Sequence, residues 1–227
     1  TIRALKMHGG VKKKELGPEN VEALIKGLSN LQKHIENVKQ YQVPYVVAIN
    51  SFITDTDAET KALADFLESN GHPWSLSEVW EKGGEGAVDL AKKVINEINT
   101  KPNNFTRMYN DEDTIAEKIE KVCKKIYGAD GVEFSGAAKI QLRRFKKLGW
   151  DSLDVCMAKT QYSLSDNPKL LGRPEGFTIN VKELRPSIGA GFIVALTGDV
   201  MTMPGLPKVP SALAMDVDED GNAQGLF

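Results

Sequence analysis

The region from Val43 to Gly86 constrains the fold more than any other part of the sequence. It contains two strand-like runs separated by a helical pattern, and it ends in a glycine-rich loop before a further helix. The first run is VPYVVAIN, and the second lies in HPWSLSEVW, where Pro73 belongs at the start or on an edge because it lacks a backbone N–H. We expect the first strand to be buried on both faces, because nearly all its residues are apolar. Short connections between successive strand–helix units favour parallel strands. The sequence therefore predicts an α/β fold of parallel, Rossmann-like strand–helix units.

Helical patterns surround these strands, and a more sheet-rich part follows them. One helix is expected to begin at Pro18 and to continue to Val38, and another to be capped by a threonine of the segment ITDT. The glycines of IYGADGV interrupt the helical pattern, and we place a domain boundary there. After a further helix over about 135–148, the runs LDVCMAKT, FTINVKELR, FIVALTGD and ALAMDVD are typical of strands. This final part is predicted to be a smaller, sheet-rich α+β domain.

An aromatic residue follows each of the first two strands at the point where the chain turns. These residues are Phe52 and Trp80. Ligands of open α/β sheets bind in the crevice beyond the carboxyl ends of the strands. Two rings at that edge can hold a flat heterocycle by stacking, which is worth roughly 1–3 kcal/mol per ring if nucleobase stacking is a guide. Packing in the core is the alternative for both side chains.

Three loops have compositions that allow a binding role as well as a structural one. The glycines of EKGGEG stand before a helix and suit either a phosphate cradle or a tight turn, but the spacing GxxxxGK[ST] is absent from the chain. AKTQYSLSDNP follows a strand and is either a polar ligand loop or a solvated one. MTMPGLPKVP contains three prolines, which predicts a stiff loop for scaffolding or for lining a site.

Composition and spacing argue against several classes of function. The formal net charge is −2 and the pI is near 6.0, so we expect no nucleic-acid partner. No apolar run approaches the roughly 20 residues that cross a membrane. The histidines lie on separate segments, and DVDEDG lacks the closing glutamate of a calcium loop, so neither a metal site nor a catalytic residue is predicted. Cys123 and Cys156 are expected to be core thiols in a reducing compartment such as the cytoplasm.

Long motifs spread over the whole chain carry a resemblance to one enzyme family. They are RALKMHGG, KHIENV, VPYVVAIN, FITDTDAE, LSEVWEKGGEG, IYGADGV, MAKTQYSLSDNP, GRPEGFT, MTMPGLPKVP and the terminal GLF. The chain resembles the formate–tetrahydrofolate ligases, in their bacterial single-function form. The resemblance implies a cytosolic enzyme of one-carbon metabolism, in which ATP with Mg²⁺ phosphorylates formate. The folate amine then attacks formyl phosphate to give 10-formyltetrahydrofolate. No tightly bound cofactor is implied.

The resemblance also implies roles for individual residues. In the family, the pterin ring lies among aromatics, and the matching folate-binding residues here are Phe52, Trp80 and Leu76. The residues implied for the nucleotide site are Gly172, Arg173, Pro174 and Thr160.

We expect the chain to be the carboxyl-terminal part of such a ligase, because it begins at Thr1 without a methionine and lacks the family's phosphate loop. Residues 1–30 are expected to end the large nucleotide-binding domain, 31–126 to form an α/β domain with the pterin platform, and 127–227 to form the α+β domain. The expected partners are small-molecule substrates, the missing amino-terminal half and further copies in a homotetramer, with no membrane. We expect no activity from the chain alone. The alternative is a non-catalytic folate-binding or interaction module.

Overall fold

The computed structural model describes residues 1–198, 209–221 and 223–225, and two sheets with surrounding helices form most of this part of the chain. The strands are β1 (Val47–Asn50), β2 (Trp74–Ser77), β3 (Gly131–Phe134), β4 (Asp154–Ala158), β5 (Thr178–Ser187), β6 (Phe192–Thr197), β7 (Asp216–Val217) and β8 (Ala223–Gln224). The helices are α1 (Ile2–His8), α2 (Val21–Gln40), α3 (Asp57–Ser69), α4 (Val79–Lys82), α5 (Val88–Thr100), α6 (Ile115–Val122) and α7 (Gly136–Lys147). No helix in these ranges is long and apolar enough to cross a membrane.

The first sheet is the parallel pair β1 and β2, which α3 connects. Asn50 is aligned with Ser77, so both carboxyl ends lie at one edge, and the predicted parallel order is confirmed. The expectation of a first strand buried on both faces is wrong, because only Ile49 of β1 is buried. Successive side chains of a strand point to opposite faces, and the core formed with α1, α2 and α3 covers the face that bears Ile49.

The second sheet has the strand order β3-β5-β6-β4 and is mixed. Strands β3 and β5 are parallel, β4 and β6 are parallel, and the two pairs meet in the antiparallel contact of β5 with β6. Helices α6 and α7 contribute Ile115, Ile119 and Phe145 to the core of this sheet. The structure thus mixes helices with parallel and mixed sheets, as an α/β protein does, while the Rossmann-like description and the limits 1–30, 31–126 and 127–227 stay predictions.

The described carboxyl-terminal segments contain little regular structure. Of the run ALAMDVD, only Asp216–Val217 is a strand, which pairs with β8, and the preceding Ser211–Leu213 forms a single 3₁₀ turn. The predicted stiff loop MTMPGLPKVP falls largely on residues 201–208, which lie outside the described residues.

Side-chain caps set the starts of the helices around the first sheet. Helix α2 begins at Val21, because the Asn20 side chain accepts a hydrogen bond from the Ala23 N–H at 2.9 Å. The expected start at Pro18 is therefore wrong. Helix α3 starts with a capping box, in which the side chains of Thr56 and Glu59 each accept from the other's backbone N–H.

Helix α1 packs against α2 at backbone distance. A Cβ atom at Gly27 would lie 1.9 Å from the Leu5 carbonyl oxygen, so only glycine fits in the middle of α2 at this crossing. Ile2, Leu5, Leu24 and Leu28 fill the contact on either side. The amino-terminal helix is therefore a fixed part of the first core.

A buried ion pair ties α1 to the start of α3. Lys6 Nζ lies 2.8 Å from Glu59 Oε1, the two side chains are 1% and 0% exposed, and Lys6 also donates to the Pro18 carbonyl at 3.0 Å. Burial tends to raise the pKa of the Glu59 carboxyl, but the hydrogen bonds from Lys6 and from two backbone N–H groups outweigh it and hold the pKa below its ordinary value. The carboxylate is therefore charged and fully partnered at neutral pH.

Replacing Lys6 with methionine is expected to lower the free energy of unfolding by about 3–5 kcal/mol, because it leaves the Glu59 charge buried without its cation. Urea unfolding followed by circular dichroism measures the loss. Lys26→Met is the matched control, since Lys26 pairs with Glu22 at 63% and 82% exposure and its loss is expected to cost less than about 1 kcal/mol.

The same pair predicts a dependence on pH. Folding lowers the pKa of Glu59, so its stabilisation is complete above the unfolded value of about 4.3 and is lost as the pH falls through the folded pKa. Equal losses in Lys6→Met and Lys26→Met would contradict the role of the buried pair.

Candidate functional site

The loops that carry Phe52 and Trp80 leave the first sheet side by side. Strands β1 and β2 end in register at Asn50 and Ser77, and the Ser51 N–H extends the pairing by donating to the Ser77 carbonyl at 3.0 Å. Phe52 follows directly, and Trp80 lies in α4, which begins at the end of β2. The structure therefore brings the two aromatics to one edge of the sheet, as the sequence predicted.

The Phe52 loop is a closed turn held by Asp55. The Phe52 N–H donates to Asp55 Oδ2 at 3.0 Å, and the Asp55 N–H donates back to the Phe52 carbonyl at 2.9 Å. The second carboxylate oxygen, Oδ1, is buried and has no hydrogen-bond partner. These reciprocal bonds fix the backbone from which the Phe52 ring projects.

The Trp80 loop is held by the glycines that follow it. The Glu78 N–H donates to the Gly86 carbonyl at 3.0 Å, and a Cβ atom at Gly86 would lie 2.5 Å from the Glu78 carbonyl oxygen. Gly83 has a φ of +60°, which favours glycine. Lys82 pairs with Glu78 at 2.8 Å across the same turn. EKGGEG therefore makes a tight turn that returns the chain to the start of α4, which accounts for Gly83 and Gly86 without a phosphate.

Neither aromatic ring is buried in a core. Trp80 is 76% exposed and Phe52 is 36% exposed, and the neighbouring Ile53 is also exposed. Large apolar side chains on fixed loops usually cover a core, so their exposure at this edge suits a surface for a flat ligand. Leu76 differs, because it packs against the first core from β2 and supports the edge from below.

The segment Gly172–Pro174 packs against α1 and α2. The Gly172 N–H donates to His8 Nδ1 at 3.1 Å, and its carbonyl accepts from Asn30 Nδ2 at 2.8 Å. Arg173 forms a bidentate ion pair with Glu36 on α2, with N–O distances of 2.9 and 2.8 Å. The polar groups of Gly172 and Arg173 are thus engaged within the chain, while the roles implied for them and for Pro174 at a nucleotide stay predictions.

Helix α1 touches both candidate regions. At its start, the Arg3 guanidinium lies over the Phe52 ring, with Cζ 5.7 Å from the ring centroid, and at its end His8 accepts from Gly172. Burial, and then the proximity of His34, lower the pKa of His8, so its imidazole is neutral and its Nδ1 serves as an acceptor. Five residues of helix rise correspond to about 8 Å, which separates the two contacts along the helix axis. The two regions are therefore neighbours.

The loop after β4 is organised around Lys159. Its Nζ donates to the carbonyls of Thr160 at 2.9 Å and Ser165 at 3.2 Å and also to that of Ser163, and it lies 5.1 Å from the centroid of the Tyr127 ring. Thr160 is buried, and its Oγ1 accepts the Tyr162 N–H at 3.3 Å. The loop is internally bonded rather than simply solvated, and a nucleotide-binding role for Thr160 remains a prediction.

The pKa of the Lys159 ammonium lies well below the ordinary value of a lysine. Burial lowers its pKa to about 8, against the opposing effects of Asp166 and Cys123. Because an unfolded lysine has a pKa of about 10.4, the unfolded chain binds more protons between these two values, and stability rises with pH over that interval.

Relative to Lys159→Met, the wild-type chain is therefore expected to gain stability from pH 8 to pH 10. Urea titrations of both proteins at several pH values measure the difference, which cancels the titration of all other groups. Lys146→Met, at an exposed position on α7, is the matched control. Its free energy of unfolding is expected to depend on pH as that of the wild type does. Parallel curves for the wild type and Lys159→Met would contradict this environment for Lys159.

Two cavities lie near the first sheet. One of about 290 Å³ lies between α1, α2 and β1, with His8, Asn30 and His34 in its wall. The other, of about 760 Å³, lies at the amino ends of the strands, where the Tyr45 hydroxyl and His72 Nδ1 are 2.8 Å apart. The larger cavity is at the sheet edge opposite to the exposed rings, so it is not part of the candidate site.

Metal-ligand chemistry is not seen in the ranges that the structure describes, where no three His, Cys, Asp or Glu side chains are grouped to hold an ion. The two cysteines are free thiols, and Cys156 is exposed, not buried as the sequence suggested. Asp154–Ala158 forms β4, whose alternating side chains place Cys156 on the outer face.

Comparison with known proteins identifies the family. The family model for formate–tetrahydrofolate ligase matches residues 1–227. The chain belongs to the formate–tetrahydrofolate ligase family. The resemblance carried by the sequence motifs is thus confirmed, and the small-molecule substrates of this family are formate, tetrahydrofolate and ATP. A folate carries a flat pterin ring, which is the type of ligand that the exposed edge at Phe52 and Trp80 suits. The assignment of individual residues to that ligand stays a prediction.

The residues that position the candidate site could not all be identified from the sequence. Asp55 belongs to a turn-favouring residue type, but its bond to the backbone N–H of Phe52, three positions earlier, is seen only in the structure. Arg3 and His8 gave no such signal. They reach Phe52 and Gly172 only through the packing of α1, which no local pattern reveals.

Proposed function

We propose that this chain is the carboxyl-terminal part of an ATP-dependent ligase that joins formate to tetrahydrofolate through formyl phosphate and gives 10-formyltetrahydrofolate. Its own contribution is a platform for the pterin ring and one wall of the nucleotide pocket. ATP enters as its Mg²⁺ complex and tetrahydrofolate as substrate, without a tightly bound cofactor. The partners are the amino-terminal part of the ligase and further copies in a homotetramer, and the reaction takes place in the cytoplasm.

The pair of exposed rings at one edge of a parallel sheet carries the proposal. Phe52 and Trp80 project from loops that hydrogen bonds within the chain close, so the backbone that carries each ring is set without a ligand. Ring stacking needs this arrangement, because a preordered surface loses little conformational entropy on binding. Leu76 supports the platform through the core.

The nucleotide part of the proposal has a different basis. Gly172, Arg173, Pro174 and Thr160 lie in the segments that follow β4, and His8 of α1 connects the first of them to the helix that also touches Phe52. A nucleotide whose base lies near this segment could extend its phosphates toward the platform, where formyl phosphate and the folate amine have to meet.

Trp80→Ala is expected to weaken tetrahydrofolate binding by about 1–3 kcal/mol, or about 5- to 150-fold in Kd, because one stacking face is lost. The quenching of tryptophan fluorescence by folate is expected to disappear with it. Since the indole is 76% exposed, the free energy of unfolding should hardly change. Phe52→Ala is expected to weaken binding in the same direction.

Phe105→Ala is the matched control, because Phe105 is also an exposed aromatic but stacks on Tyr41, outside the candidate platform. Affinity measured by calorimetry should be unchanged in this variant. Wild-type affinity in Trp80→Ala would remove Trp80 from the platform and favour the alternative, an interaction module. Helix α5 supports that alternative, because it has no buried residue and exposes Ile95 and Ile98.

The chain alone is expected not to catalyse the formation of 10-formyltetrahydrofolate. It contains no GxxxxGK[ST] loop, and phosphoryl transfer depends on groups that position and neutralise the phosphates. Incubation with ATP, Mg²⁺, formate and tetrahydrofolate, followed by measurement of ADP and 10-formyltetrahydrofolate, tests this expectation. Sustained formation of both products above a protein-free control would show that the 227-residue chain has the complete machinery.

A further inference from the structure

The Arg3 guanidinium lies over the Phe52 ring of the proposed platform. Its Cζ lies 5.7 Å from the centroid of the Phe52 ring, a cation–π distance. The flanking residues Ile2 and Leu5 are buried in the first core, so the backbone of α1 is fixed at this point. The fixed backbone of α1 therefore directs the exposed Arg3 side chain toward Phe52.

This guanidinium has no acidic partner among the described residues. Other arginines do: Arg173 pairs with Glu36 and Arg185 with Glu183. In Asp55, the carboxylate of the Phe52 loop, Oδ2 accepts a hydrogen bond from the Phe52 N–H and Oδ1 makes no hydrogen bond. The donors of Arg3 are therefore available to a ligand that stacks on the platform.

The proposed substrate needs such a donor. Tetrahydrofolate consists of a tetrahydropterin, a p-aminobenzoyl group and a glutamate, so the ring suits an aromatic platform while the glutamate brings two carboxylates. The chain has a net charge of −2 and attracts no anion by its overall field, so a local cation has to do so. Lys82, near Trp80, is already paired with Glu78. A planar guanidinium matches a carboxylate with two parallel hydrogen bonds.

We propose that Arg3 binds a carboxylate of the folate glutamate and so selects folates over pterins that lack this tail. The inference rests on the proposed function, since it takes Phe52 and Trp80 as the place of the ring. It adds a specificity-determining residue from α1, a helix that the platform motifs do not include.

Calorimetry with two probes tests it under anaerobic conditions. The probes are tetrahydrofolate and 6-methyltetrahydropterin, which has the ring without the p-aminobenzoylglutamate tail. In Arg3→Ala, the Kd of tetrahydrofolate is expected to rise about tenfold, which equals about 1.4 kcal/mol. The Kd of 6-methyltetrahydropterin should change by less than about twofold. Added NaCl should reduce the difference between wild type and variant.

Two further variants sharpen the result. Arg3→Lys keeps the charge but loses the fork, so its tetrahydrofolate affinity should lie between those of wild type and Arg3→Ala. Arg143→Ala removes an exposed arginine of α7 and should leave both affinities unchanged. Circular dichroism checks that each variant is folded. If Arg3→Ala does not fold, Arg3→Lys still tests the proposal.

The outcomes separate this inference from the proposed function. If wild type binds both probes and Arg3→Ala weakens both equally or neither, the carboxylate role is overturned and the platform stands. If inorganic phosphate competes with tetrahydrofolate and Arg3→Ala abolishes only that competition, the guanidinium is a phosphate site and the proposal is also overturned. If wild type binds neither probe, the platform itself is wrong, and the role of Arg3 fails with it.

Discussion

The buried ion pair between Lys6 and Glu59 holds α1 in place, and both regions of the candidate site depend on that helix. A helix of seven residues is too short to be stable alone in water, so its position comes from tertiary contacts. The pair fixes the rotation of α1 as well as its depth, because the Lys6 ammonium must reach both Glu59 and the Pro18 carbonyl. A rotation by one residue, about 100°, would break the contact of Arg3 with Phe52 and that of His8 with Gly172 at once. A structural charge in the core thus sets the relative position of two surface regions.

The parallel order of β1 and β2 and the places of their aromatics could be predicted, because both follow from the alternation of strand and helix patterns along the chain. The burial of β1 could not. Ala48 lies on the face of the sheet opposite to Ile49, and its burial depends on which element packs against that face. The residues between β1 and β2 contain no signal for that packing. The expected start of α2 at Pro18 is wrong for a similar reason. Pro18 suits a first helical turn, but its carbonyl accepts from Lys6 of another helix, and the Asn20 side chain caps the helix instead.

The candidate site shows the same division between local and distant information. The glycines of EKGGEG and the turn at Asp55 are local devices, and each explains how a loop holds its aromatic. The neighbours of those aromatics come from elsewhere. Arg3 reaches Phe52 only because Gly27 lets α1 approach α2 at backbone distance, a contact between residues far apart in sequence. A single sequence contains no periodic signal for such a contact. The strand ends and the family resemblance therefore indicate Phe52 and Trp80 as candidates, whereas only the structure shows that Arg3 lies next to Phe52.

The two regions differ in how their polar and apolar groups are used. At the sheet edge, closed loops expose the rings of Phe52 and Trp80. The Arg3 guanidinium lies next to Phe52 and has no acidic partner among the described residues, so the rings and the guanidinium are available to a ligand. At Gly172 and Arg173, the backbone groups and the side chain are already bonded to His8, Asn30 and Glu36. A ligand gains little from groups that must first give up good hydrogen bonds, whereas a preformed and unsatisfied surface gives its interaction energy at once. By this reasoning the chain itself favours folate recognition, and the segment at Gly172 acts first as the connection that holds the carboxyl-terminal sheet against α1 and α2.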